Sequence, residues 1–446
     1  MTPRHIAVID VGKTNAKLAL VDAATLTEIA VTTRPNTVLP GPPYPHFDLE
    51  GHWQFFLDGL AAFHRDHGID AISITTHGAA AVLLSADGTL ATPMLDYEHD
   101  IGADAGYDAI RPDFATTGSP RLPCGLNLGS QLHWLLADPD IAARTSHVLT
   151  YPQYWAWRLT GVMASDVTSL GCHTDLWNPW EGSFSPLVDR LGLDGKMAPA
   201  RSSSDVLGKV RGGLGLPPVP VVCGIHDSNA SLLPYVLGRW APFSVVSTGT
   251  WVVVMGGTAT DLDPARDVLV NVNALGRAVP SARFMGGREY EVIRQGGDPA
   301  TTPKDRAAVL AAGAMILPAV EPKSGPFAGQ AMRWINEPSA QGERMVALGH
   351  YLALVTKTCL DLIGSRGPAI VEGPFARNPD YLDMLAAIHD AGVEVAASAT
   401  GTSVGAALLF AEDATPPATR RVAPADAEAL RALAARWHQL KDTPCD

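Results

Sequence analysis

The sequence predicts an α/β protein of two domains. Apolar, β-branched runs of strand length alternate with longer segments of helical period along the chain. Its 446 residues exceed one ordinary core, and two domains of roughly 200 residues are the natural division. A hairpin layout also occurs twice: residues 5–22 read HIAVIDVGKTNAKLALVD and residues 243–256 read FSVVSTGTWVVVMG. Each has an apolar run, a short polar stretch containing Gly, and a second apolar run. The polar residues therefore fall at a hairpin tip, where N–H groups and hydroxyls can converge on an anion. Two such tips suggest two related domains gripping one polyphosphate.

The elements follow in order. After the first hairpin comes an extended stretch, 28–33, and then RPNTVLPGPPYPHFD, whose prolines exclude regular structure and make it a surface loop. Residues 49–67 place Trp53, Phe56, Leu57, Leu60 and Phe63 at helical spacing, with Asp48 as a cap. A buried strand over 69–76 ends at His77-Gly78, and 80–84 is a second apolar strand before the turn Ala86-Asp87-Gly88. The region 130–161 reads as mostly helical and ends in YPQYWAWRLTG, whose aromatics suit a core. A strand over 219–224 delivers Ile225-His226-Asp227 to a helix near 228–237. Later come a long helix at 345–363, a strand at 369–372, a helix at 381–391 and a small-residue helix at 402–410. The domain boundary is expected between Pro234 and Pro242, giving domains 1–238 and 239–446.

Composition narrows the function. A hydrophobic share of 46% with 18% charged residues describes a folded globular chain. The net charge of −13 argues against nucleic acid or an anionic membrane as the main partner. Cys124, Cys172, Cys223, Cys359 and Cys445 are scattered without CxxC spacing, the pattern of a reducing compartment with no zinc site. MTPRH leads straight into the first strand with no signal peptide, and no apolar run reaches the ~18 residues of a membrane span, so a cytoplasmic protein is expected.

Several residues can carry chemistry. At the first tip, Gly12 permits a tight or positive-φ turn, Thr14 and Asn15 supply donors, and Lys13 and Lys17 supply positive charge. Asp10, ending an apolar strand, can hold Mg²⁺ directly or through water. The segment is not a Walker A loop, and an ordinary polar hairpin with a bulge explains it equally well. The second tip offers Thr248, Gly249 and Thr250. Asp227 either caps the following helix or acts as a general base for a substrate hydroxyl attacking a γ-phosphate, with His226 beside it to bind that substrate. In EGPFARN, Gly373 allows close approach to a flat base while Arg377 and Asn378 can contact adenine or ribose; a plain β–α turn is the competing reading. The stretch 160–169, with Asp166, Thr168 and Ser169, reads chiefly as structural.

Taken in order, these segments resemble the FGGY carbohydrate kinases, a family within the sugar kinase/Hsp70/actin superfamily. DVGKTNAK and STGTW resemble its two phosphate motifs, TTHGAA its first sugar-contacting strand end, GIHDSNA the strand end with the catalytic Asp, and EGPFARN its adenosine motif. GIHDSNA, STGTW and MGGREYEVI are most similar to the L-rhamnulose and L-fuculose kinase branch. Members often carry Trp or Tyr, then Asp and Arg, after the strand near Pro93; MLDYEHD offers Tyr97 and Glu98 instead and lacks the Arg.

The resemblance implies two actin-like, ribonuclease H-like domains, each a five-stranded sheet flanked by helices, around a central ATP/sugar cleft. It implies Asp227 as catalytic base; His77, Gly78, Glu98 and His226 on the sugar; Gly12 to Asn15, Lys17 and Thr248 to Thr250 on phosphates. Gly373, Arg377 and Asn378 would face adenosine, and Asp10 would face Mg²⁺. The implied reaction is γ-phosphoryl transfer from ATP to a primary hydroxyl of a ketose, foremost a deoxy-ketohexose, with a pentulose or other polyol as alternative. Homodimers are common in the family. A nucleotide-switched chaperone and a catalytically inactive sugar-binding regulator are the rival classes. Asp10, Lys13, Thr14 and Asp227 favour the kinase.

Overall fold

The structure is a computed structural model and describes residues 3–239, 242–396, 401–411 and 418–442. It divides into two compact units, Met1–Arg239 with Val270–Ala278 and Thr400–Pro416, and Trp240–Leu269 with Val279–Ala399 and Pro417–Asp446. Two stretches from the later half of the sequence thus belong to the first unit.

The first unit is built on a seven-stranded sheet. His5–Val11, apolar on both faces, lies between antiparallel Asn15–Asp22 and parallel Ala71–Thr76, and is buried almost throughout. Thr27–Pro35 extends the sheet beyond Asn15–Asp22, while Pro220–Val222 and Ile225–His226 both pair with Ala71–Thr76. Register aligns the strand ends: Asp10 lies opposite Thr75, and Thr75 and Thr76 lie opposite Ile225 and His226. Asp10 and His226, with His77 one residue past Thr76, therefore reach one end of one sheet before any side chain is considered.

The helix Leu49–His67 forms where the period placed it, with Asp48 accepting from Gly51 N at 2.9 Å and Phe56, Leu60 and Phe63 buried. Each fully buried aromatic or leucine there is worth about 1.5–3 kcal/mol. Residues 130–161 are less uniformly helical than expected. Leu128–Leu136, Pro139–Arg144 and Tyr151–Thr160 are helices, but His147–Thr150 is a strand paired with Ala81–Leu84. Its four residues are too few for a period to show. The small-residue helix, Thr402–Ala407, packs on the first unit: Ser73 Oγ donates to Ala406 O at 2.7 Å. A Cβ on Gly405 would stand 1.8 Å from Ala230 O in the helix Asp227–Gly238, so only glycine permits this approach.

A second seven-stranded sheet, most of it in the second unit, runs in the order Val268–Val272, Ala278–Phe284, Val252–Met255, Ser244–Thr248, Ala369–Glu372, Val393–Ala396, Thr419–Arg421. Both sheets thus exceed the five strands expected, because hairpin and edge strands extend each core. The helix Gln341–Leu362 is long and apolar enough to cross a membrane by length and composition, contrary to the sequence expectation. Its window is 83% buried inside the protein, among Val246, Val371 and Tyr381, as a core helix is. The four described cysteines are free thiols; Cys445 lies outside the described residues.

Candidate active site

The candidate residues fall into two groups, one on each unit. In the first, the turn after Val11 is closed by Gly12 N donating to Asn15 O at 2.9 Å. Gly12 is not among the positive-φ glycines, and a Cβ there would only touch Asn15 O at 3.5 Å. The expected steric need for glycine at this position is therefore absent. Thr14 Oγ1 accepts from Asn15 Nδ2 at 3.2 Å.

Charge organises this tip. Asp10 is partly buried, accepts from Ser403 Oγ at 2.8 Å, and lies 3.5 Å from Lys17 Nζ, which also meets Glu28 at 3.0 Å. Burial pushes the Asp10 carboxyl above its usual range, while Lys17 and Ser403 oppose that and the nearby Asp227 adds to it. Ser403 was not anticipated, and a residue 393 positions away leaves no local signal. Lys13 does not present a free ammonium: it is ion-paired to Asp96 and lies 3.3 Å from Glu98 Oε2.

At the neighbouring strand ends, His77 N donates to Val11 O at 2.8 Å, and His77 Nδ1 pairs with Gly78 O at 2.9 Å. That bond assigns the proton to Nδ1 and leaves Nε2 as a buried acceptor with no protein partner. Burial keeps the His77 ring below the usual imidazole range. His226 is buried, with its N donating to Thr168 Oγ1 at 2.9 Å and Nε2 standing 3.4 Å from Asp227 Oδ1. Burial opposes its charge, but Cys172 and Asp227 outweigh burial and raise it to about 9. Gly78 gives that ring its room, since a Cβ there would lie 2.5 Å from His226 Nε2.

Asp227 opens the helix Asp227–Gly238, Oδ1 accepting from Ser228 N at 2.6 Å, and a third of its side chain stays open to solvent. A general base needs this arrangement, oriented by neighbours yet reachable by a hydroxyl. Tyr97 stands edge-on to His77 with ring centroids 5.3 Å apart. The sequence points to Tyr97 and Glu98 at this turn but not to Asp96, which stands beside them.

On the second unit, Ser244–Thr248 and Val252–Met255 form the expected hairpin, its tip closed by Gly249 N donating to Trp251 O at 2.9 Å. The Thr248 hydroxyl donates to Glu372 O at 2.6 Å and accepts from Phe375 N at 3.1 Å. Gly373 has φ +83°, and a Cβ on it would fall 2.1 Å from Thr248 O; one on Gly287 would fall 2.2 Å from Gly249 O. Thr250 O accepts from Gly287 N at 3.1 Å. Asn378 Oδ1 caps the helix Pro379–Ile388 through Asp380 N and Tyr381 N, both at 3.1 Å, and Arg377 is exposed. Glu372 is buried and raised to about 8 by burial, Ser247 opposing, so it is protonated at neutral pH.

Among the described residues no cluster of three or more His, Cys, Asp or Glu side chains forms a protein-only metal site. The partly buried Asp10 carboxylate suits instead a Mg²⁺ bound largely through substrate phosphates, which needs only one or two protein carboxylates.

Two α/β units with a phosphate-type hairpin apiece, and a carboxylate at a strand end, define the actin-like sugar phosphotransferases. The chain belongs to the FGGY family of carbohydrate kinases: residues 5–234 match the family's N-terminal domain and residues 240–418 the FGGY carbohydrate kinase C-terminal domain. It is similar to a solved carbohydrate kinase from Novosphingobium aromaticivorans, at 39% identity and TM-score 0.90 over 98% of both chains. A xylulose kinase from Rhodospirillum rubrum shares the fold, at 21% identity and TM-score 0.79 over 98% of both chains. A rhamnulokinase from Pectobacterium atrosepticum is 27% identical over 276 residues, 56% of this chain and about half (52%) of that relative.

Proposed function

We propose that this kinase transfers the γ-phosphoryl group of ATP to a primary hydroxyl of a ketose, foremost a deoxy-ketohexose such as L-rhamnulose or L-fuculose. The observation that carries the reading is the convergence of Asp227, His226, His77 and Asp10 at the aligned strand ends of one sheet. The partial likeness to a rhamnulokinase favours the deoxy-ketohexose.

In this reading the sugar binds on the first unit. The neutral His77 offers Nε2 as acceptor to a sugar hydroxyl, and His226 orients Asp227 from one side while Ser228 N holds it from the other. Asp227 then takes the proton of the attacking hydroxyl as its oxygen bonds to the γ-phosphorus. The positive charge that His226 carries at neutral pH stands 3.4 Å from Asp227 Oδ1. Lys17 sits against Asp10 at the transferring end, and the Thr248–Thr250 tip, on which Gly373 packs closely, would meet the nucleotide's phosphates, with Gly373, Arg377 and Asn378 toward adenosine. Asp10 would hold Mg²⁺ together with the polyphosphate, and the ion would supply charge neutralisation at the transferring phosphate. A reducing, cytoplasmic setting fits the free thiols among the described residues, and a homodimer follows the family resemblance.

ADP release measured with Mg²⁺-ATP against L-rhamnulose, L-fuculose, the xyluloses, the ribuloses and glycerol tests this reading. Release stimulated most by a deoxy-ketohexose supports it. Preference for a pentulose moves the substrate class, and uniformly sugar-independent turnover rejects the reading.

A further inference from the structure

Lys13 lies on the first phosphate-type tip, yet its ammonium turns toward a different set of residues. It pairs with Asp96, stands 3.3 Å from Glu98 Oε2, and lies 4.6 Å from the ring centre of Tyr97 and 5.1 Å from that of Phe47. Two carboxylates and two ring faces satisfy a compact ammonium with three donors. Little of its charge remains for a phosphate.

The turn it enters is organised around it. Asp96 is 7% exposed, its N donates to Pro45 O at 3.0 Å, and its Oδ1 accepts from Glu98 N at 3.2 Å. Tyr97 O accepts from Gly125 N at 2.9 Å. Tyr97 in turn packs edge-on against His77, whose buried Nε2 has no protein partner. Removing the ammonium would leave a buried Asp96 carboxylate without its counter-charge, which the turn can relieve only by moving or by admitting water. The segment 94–100 also carries no arginine or lysine of its own, so the cation arrives from the hairpin tip.

We propose that Lys13 is a positioning residue of the acceptor pocket: it fixes the Asp96–Tyr97–Glu98 turn, and through Tyr97 the His77 ring, where a polyol's hydroxyls bind. This inference rests on the kinase reading above for its substrate, but not for its structural content.

The test uses the full chain carrying Lys13→Ala, with Lys13→Arg and Lys13→Gln as companions should the alanine variant fold poorly. Amide hydrogen exchange over residues 94–100 is expected to quicken in Lys13→Ala and Lys13→Gln and to be largely restored in Lys13→Arg. Calorimetric affinity for Mg²⁺-ADP should change by less than about threefold, whereas the KM for the best acceptor should rise about tenfold or more, as displaced positioning groups do. A drop in nucleotide affinity of about tenfold with unchanged exchange at 94–100 makes Lys13 a phosphate ligand and overturns the proposal. If no polyol is turned over by the parent chain, the kinase reading fails, while exchange and ADP binding still decide the role of Lys13.

Discussion

The two hairpin tips share a backbone plan and differ in how they are held. Each closes with one backbone hydrogen bond of 2.9 Å, Gly12 N to Asn15 O in the first and Gly249 N to Trp251 O in the second. The first is fixed by charge: Lys17 bridges Asp10 and Glu28, and Lys13 bridges Asp96 and Glu98. The second carries no charge at its tip and is fixed by a hydroxyl and by clearance. Thr248 bonds to Glu372 O and Phe375 N, and Gly287 and Gly373 keep space that a Cβ would fill. Glycines inside the tips, Gly12 and Gly249, would meet nothing closer than 3.5 Å if replaced, so the steric demand lies on the elements packed against them. A similar layout thus serves ion-pairing chemistry in one unit and close approach in the other.

The largest effect should come from the charged side. Asp227→Asn keeps shape and removes the base, so phosphoryl transfer should fall about 10²–10⁴-fold in an ADP-release assay. Calorimetric affinity for Mg²⁺-ADP should stay near that of the parent. Near-normal turnover in the folded variant would remove Asp227 from the mechanism.

Next comes clearance on the uncharged side. Gly373→Ala forces a side chain at φ +83° into Thr248 O, and strain of about 1–3 kcal/mol is expected there. A lowered Tm together with a raised KM for ATP, and an acceptor KM that moves little, is the expected signature. If Gly373→Ala were silent in both, clearance would not be what holds the second tip. Thr248→Val probes the hydroxyl alone: losing two bonds should cost about 1–3 kcal/mol, read as a fall in denaturation midpoint.

The last effect is a pH dependence. Glu372 is raised from 4.5 to about 8 in the folded chain, so the folded state holds a proton that the unfolded state releases between those values. Its contribution to stability is full below pH 4.5 and is lost as pH rises through about 8. Glu372→Gln cannot titrate, so the Tm of the variant relative to the parent should rise between pH 5 and pH 9. A difference that stays flat over that range would mean Glu372 is ionised when folded.

Much of the fold was legible locally. The strand Ala369–Glu372, the helix Leu49–His67 with its Asp48 cap, and both hairpins depend on neighbours within a few residues, and their pattern is written there. The short strand His147–Thr150 and the sheet widths were not legible, because pairing is made with distant partners. In the candidate site, Asp10, His77, His226 and Asp227 could be chosen because each ends an apolar run, and such runs deliver residues to a sheet edge. Ser403 on Asp10 and Asp96 on Lys13 could not, since each contact is closed by the fold across 393 and 83 residues.

The sequence by itself determined which residues carry charge, which strands end in polar groups, and that two hairpin tips of like layout exist. Those are properties of short segments, set by side-chain chemistry and period. Only the tertiary structure decided what each charge is spent on, turning Lys13 from a free cation at a phosphate tip into the partner of Asp96 and Glu98. Partnering in a buried site is settled by desolvation and packing among segments far apart in the chain, and no local pattern records that outcome.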